Sequence, residues 1–174
     1  MFQLPDPLHP AIVHFPIVLL LIGAAGAVVS VFTERWNVRK WTALLLIGGA
    51  LGAFAATWSG NQAKETVGTL TESAETLLDN HEELAETARN IAIFAGLVAL
   101  VSAFVKWKGA LRHVPTVTTA VVSLICVCYI VAAAHLGGKS VYLHGVGTAS
   151  VANTVPRVLG AESWCKRARL VMTD

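Results

Sequence analysis

Charge is scarce in this sequence. Asp, Glu, Lys and Arg make up 14% of its 174 residues, against 55% apolar residues and a mean hydropathy of +0.62. That composition allows one domain and excludes an ordinary soluble one, in which about a quarter of residues are charged. Neither sign dominates: thirteen Lys and Arg face eleven Asp and Glu. So even a balance cannot neutralise a run of phosphates, which excludes nucleic acid as a partner. Cysteine is also rare. Three cysteines cannot staple a scaffold, and Cys126 and Cys128 lie two apart in one apolar run, where a helix points them to nearly opposite sides. A thiolate there would be costly, so both read as packing residues. There is no Cys-x-x-Cys-His for covalent haem, no Ser/His/Asp set, no phosphate-cradling glycine loop and no pair of carboxylates inside an apolar run. No catalysed reaction is therefore named, and an electron carrier or accessory subunit is expected rather than a stand-alone enzyme.

What the sequence has is long apolar runs. Four of them, at 11–32, 41–58, 88–105 and 117–134, approach the roughly 20 residues that cross a bilayer as a helix. In lipid, backbone groups must bond within their own segment or close a barrel, and no period-two alternation is present. The expected fold is an all-α, integral-membrane, antiparallel four-helix bundle over residues 1–150, with 151–174 as a tail.

The connections predict its orientation. Arg35, Arg39 and Lys40 join the first two spans, and Lys106, Lys108 and Arg112 join the last two; short cationic loops stay cytoplasmic. The middle segment from Ser59 to Thr87 carries Lys64 against Glu65, Glu72, Glu75, Asp79, Glu82, Glu83 and Glu86, which places it and both termini outside. Arg157, Lys166, Arg167 and Arg169 oppose this assignment, but they lie well past the last span, where the bias weakens. The first span is too long, and lacks the basic leader, for a cleaved signal peptide. Trp36, Trp41 and Trp107 mark the inner interface and Trp58 the outer one. Gly48, Gly52 and Ala56 recur every four residues, giving the second helix a smooth face for close packing, one a flat porphyrin could also exploit. The spans carry no charge beyond edges of the Arg35 type, so no ion or substrate path is evident.

Three boundaries follow from pattern. The third helix is expected from about Thr71, because Leu77, His81, Leu84, Ala88, Ala92 and Ala95 share one face and the acidic residues the others. The fourth should open near Pro115 and stop at Gly137 and Gly138. A short amphipathic piece is expected from Trp164 to Val171.

Five of six histidines fall on the outer side: His9, His14, His81, His135 and His144, with His113 inside beside Arg112. His14 lies in the first turns of helix one and His135 closes helix four. His81 replaces a Leu in the apolar stripe of helix three. Ionisable residues at the edge of a membrane bundle are functional candidates. Neutral imidazole binds haem iron, copper and zinc, and a membrane b-type haem is usually held by two histidines from different helices. His14, His81 and His135 are the candidate metal or haem ligands. His9 and His144, in irregular segments, read first as hydrogen-bonded structural residues, or as accessory groups or ligands of a second haem. Pro16 frees the carbonyl of Ile12, which a histidine ring N–H could satisfy and be oriented by. The acidic run Glu82, Glu83 and Glu86 reads as a wet helix face.

The stretch Leu8-His9-Pro10-Ala11-Ile12-Val13-His14-Phe15-Pro16-Ile17 resembles the opening of a family of predicted bacterial four-helix inner-membrane proteins of unknown function. The stretch from His135 to Gly147, HLGGKSVYLHGVG, is similar to that family's closing motif, with Leu136 in place of a Gly and Ser140 in place of an apolar residue. The resemblance covers about residues 5 to 150. Relatives joined to c-type cytochrome or Rieske iron–sulfur domains imply work beside a respiratory or photosynthetic electron-transfer chain. This sequence carries no such domain, so the partner is expected to be a separate membrane or periplasmic subunit. The resulting expectation is a subunit of the bacterial inner membrane with a b-type haem, haem b, near its periplasmic face. The rivals are a cofactor-free scaffold of a larger complex and a periplasm-facing copper or zinc site.

Overall fold

The computed structural model describes residues 9–33, 35–66, 70–105, 111 and 113–146. They form four helices: α1 (His9–Phe32), α2 (Trp36–Thr66), α3 (Glu72–Phe104) and α4 (Val114–His144). Each is long and apolar enough to cross a membrane, and no strand occurs among the described residues. The expected all-α bundle is what forms. Its helices pack as a ring, α1 on α2, α2 on α3, α3 on α4 and α4 on α1, which leaves α1 and α3 diagonal. The α1–α2 and α3–α4 connections share one end, the hairpin end; the start of α1, the α2–α3 connection and the end of α4 share the other, the terminal end. Lys106, Lys108, Arg112, Trp107 and the tail with its proposed amphipathic piece lie outside the described residues.

The core sorts residues by size rather than by polarity. Ala24, Ala27, Ala43, Ala92, Ala99 and Ala103 are buried, while Leu44, Leu51, Phe54, Phe94, Leu97 and Leu124 face outward. Lipid solvates a large apolar side chain as well as a core does, so helix association rests on close contact, which small residues allow. The smooth face of α2 is filled from α1. A Cβ on Gly49 would lie 2.6 Å from Leu20 Cγ, and one on Gly52 would lie 3.1 Å from Pro16 Cβ. In the reverse direction Leu46, fully buried, occupies the notch at Gly23, where a Cβ would meet its Cδ2 at 2.7 Å. These glycines serve helix packing, and the α1–α2 seam has no slot for a porphyrin.

Helix α3 starts directly after Thr71, as the pattern predicts, with Glu72 and Glu75 in the first turn, where the helix dipole favours them. Helix α4 opens with Pro115 in its first turn, also as predicted. Its other end differs from expectation. The helix runs through Gly137 and Gly138 to His144 and stops at Gly145, which takes the left-handed conformation at φ 65 and ψ 20. A helical glycine costs about 1 kcal/mol, too little to end a helix that is packed along its side. The Gly145 N–H donates to the Val141 carbonyl (2.9 Å), the single 5→1 bond of an αL cap, and the Val146 N–H donates to that of Ser140 (3.2 Å), which closes the helix. Helix α2 likewise continues past Trp58 to Thr66. At the hairpin end Lys40 Nζ sits 4.7 Å above the Trp36 ring, which meets Phe104 edge-on at 5.8 Å.

Candidate histidine site at the terminal end

Histidine placement follows from which helix face each residue occupies. His9 does not lie in an irregular segment: it is the first residue of α1, and it is half-buried. Its Nδ1–H points at two acceptors on α2, the Ala56 carbonyl (3.0 Å) and Ser59 Oγ (3.1 Å), while Ser59 donates its own proton to Ala56 at 2.9 Å. The ring fits because Gly60 has no side chain; a Cβ there would come within 3.0 Å of His9 Cε1. His81, half-buried on α3, repeats this arrangement against α4. Its Nδ1–H donates to the Ala133 carbonyl at 2.8 Å, and a Cβ on Gly137 would lie 3.0 Å from Cε1. The overrun of α4 through Gly137 is therefore what seats this ring.

A carbonyl only accepts, so in both residues the neutral ring carries its proton on Nδ1 and leaves the Nε2 lone pair without a partner among the described residues. A metal-binding imidazole is held in the same way, with one nitrogen anchored to a backbone carbonyl and the other ligating. The two rings lie on diagonal helices at the terminal end of the bundle.

The expected partners of His81 lie elsewhere. His135 is exposed. Ala133 and Gly137, which face His81, are four residues apart on one side of α4, and His135 lies halfway between them, so it points to the opposite side. His14 is exposed as well. Its Nδ1–H bonds the Pro10 carbonyl of its own helix at 2.6 Å, rather than the Ile12 carbonyl freed by Pro16, while Pro16 turns inward onto Gly52. His144 is not in an irregular segment but ends α4, exposed. Among the described residues no group of three or more His, Cys, Asp or Glu is placed to hold a metal ion.

The acidic segment is only partly a wet face. Lys64 of α2 bridges Asp79 (2.7 Å) and Glu82 (2.6 Å) of α3 beyond the apolar run. Contrary to the expectation of charge only at the span edges, Arg89 lies inside the third apolar run, where it bonds Thr57 Oγ1 (3.1 Å) and Glu86 (3.3 Å). Glu86, one turn away, was the available signal that Arg89 is held at the membrane edge.

Nitrogen-15 NMR of histidine-labelled protein at alkaline pH should show Nδ1–H tautomers for His9, His14 and His81, against the Nε2–H form that free imidazole side chains favour. Three Nε2–H signals at these positions would contradict the carbonyl anchors.

Residues 5–150 match the family described as predicted membrane protein (DUF2231). The chain belongs to that family. The DUF2231 match spans all four helices and every histidine discussed above. No curated protein and no solved structure matches the chain.

Proposed function

We propose that this DUF2231 protein is an electron-transfer subunit of the bacterial inner membrane that holds a b-type haem at its terminal end, with His9 and His81 as the axial candidates. One observation carries the reading: two imidazoles on diagonal helices, each with Nδ1 tied to a carbonyl of a neighbouring helix and Nε2 left available. The donor chemistry fits haem better than a bare ion. A six-coordinate electron-transfer haem takes two protein ligands, whereas structural zinc takes four and catalytic zinc three. Bound haem would supply one-electron transfer. The chain's own contribution is to fix both rings by anchors on α2 and α4, and to keep them rigid through glycine notches too small for any other rotamer neighbour. By the charge of the connections the terminal end faces the periplasm, where a c-type cytochrome, a Rieske protein or a quinone would exchange electrons.

A cofactor-free scaffold draws support from a different observation, the filling of the α2 glycine face by Leu20 and Pro16. A pyridine haemochrome assay on detergent-purified protein separates the two. The expected result is sharp reduced b-type bands, lost in His9→Ala and His81→Ala and kept in His14→Ala and His135→Ala. A colourless preparation without iron defeats the haem reading, and copper or zinc in its place by metal analysis favours the ion.

A further inference from the structure

The hairpin end, opposite His9 and His81, holds a second polar group that the proposed electron transfer does not use. A small cavity of about 10 Å³, room for roughly one oxygen-sized atom, lies where all four helices meet. Each helix contributes a hydroxyl: Ser30 from α1, Thr42 from α2, Ser102 from α3, and Thr116 with Thr119 from α4. All five are buried. Arg39 of α2 completes the lining, half-buried, and its Nε is the one buried side-chain nitrogen or oxygen among the described residues that has no hydrogen-bond partner.

The protons can be counted. Ser30 spends its proton on the Gly26 carbonyl (2.7 Å) and Thr119 its own on the Pro115 carbonyl (2.7 Å). Ser102 and Thr116 share one bond of 3.0 Å, which uses one of their two protons. Thr42 has only a long contact with Ser30, at 3.5 Å. Among the bonds of the described residues, two donors are left over, Arg39 Nε–H and one hydroxyl of the Ser102–Thr116 pair, and the Thr42 hydroxyl is held only by its long bond to Ser30. An excess of donors around a guanidinium calls for an acceptor that is also negative. A lone water would satisfy Nε–H and leave the charge without a counter-ion among the described residues.

We propose that this notch binds one oxygen of a phosphate group, with Arg39 as its main donor and Thr42 and the Ser102–Thr116 pair completing the contact. The lining matches the basic pockets between membrane helices that take lipid headgroups, and Arg35 and Lys40 beside Arg39 add positive charge at the same helix start. The phosphate has two sources, an anionic headgroup or the free ion, and both present the same oxygen.

Thermal unfolding of the full chain tests this. One arm adds inorganic phosphate to delipidated protein in detergent; the other compares nanodiscs with and without phosphatidylglycerol. Stabilisation in the first arm assigns the free ion, and stabilisation only in the second assigns the headgroup. In either case Arg39→Lys, which keeps the charge but loses the Nε–H, should weaken the apparent affinity about tenfold, and Thr42→Val should weaken it several-fold. Lys40→Met, which removes a flanking charge from outside the cavity lining, should weaken it less than Thr42→Val does. Glu34→Gln, which removes the only carboxylate in the sequence between Asp6 and Glu65, should leave binding equal or tighter. Stabilisation by neither source, or equal stabilisation in wild type and Arg39→Lys, overturns the site and leaves the notch to water.

Discussion

Gly49→Ile should lower the stability of the detergent-solubilised bundle by about 3 kcal/mol, the upper end of what overpacking costs. Alanine already places a Cβ 2.6 Å from Leu20 Cγ and 3.3 Å from the Leu20 backbone nitrogen. Leu20 is 3% exposed and has nowhere to turn. Isoleucine adds three more carbons to the same space, so α1 must move off α2. Reversible unfolding monitored by circular dichroism in mixed micelles measures the loss. Adding Leu20→Ala to the variant should recover about half of it, because the two side chains compete for one volume. Strict additivity of the two losses would show that they do not meet.

Gly137→Val should release His81. The added methyl groups extend from a position already 3.0 Å from Cε1 and 3.1 Å from Nδ1, so the ring must leave the Ala133 carbonyl. The cost in stability is about 1 to 2 kcal/mol, that of a lost bond with a half-buried partner. The functional effect is larger. Loss of a second-shell anchor weakens metal binding by about 10- to 100-fold, and haem retention in the proposed site should fall to match. Histidine NMR gives a readout that needs no haem: the His81 Nδ1–H signal disappears while that of His9 stays. Retention of both signals in Gly137→Val would place the His81 ring outside the notch.

Which parts of this molecule could be read from sequence follows from how a membrane bundle is built. Lipid fixes the number and length of apolar runs, so the four helices and the start of α3 after Thr71 follow from composition and pattern alone. Lipid also removes the contrast between core and surface. Leu46 is wholly buried and Leu44 exposed, two residues apart in the same apolar run. Facing, in such a helix, is decided by small residues on its neighbours. This is why pattern alone groups His135 with His81, from which it points away, and sets His9 in an irregular segment rather than at the start of α1. The end of α4 escapes the sequence for a related reason. Gly137 reads as a stop, but its missing side chain makes room for an imidazole on another helix. The hydroxyl cluster around Arg39 has no linear signal at all, since its members are spread from Ser30 to Thr119 and meet only where the helices converge.

Helix α1 is also the shortest of the four, 24 residues against 31, 33 and 31. It begins at His9, whereas α2 continues six residues past Gly60, α3 starts nine before His81, and α4 runs seven past Gly137. At 1.5 Å per residue the paired rings sit about 10 Å beneath a three-sided collar. A globular redox protein docking on that rim would meet the exposed His144 but would not touch His9 or His81. For the proposed haem, electrons would tunnel across such a gap, so the depth of the two rings fits outer-sphere exchange better than chemistry that needs direct ligand access.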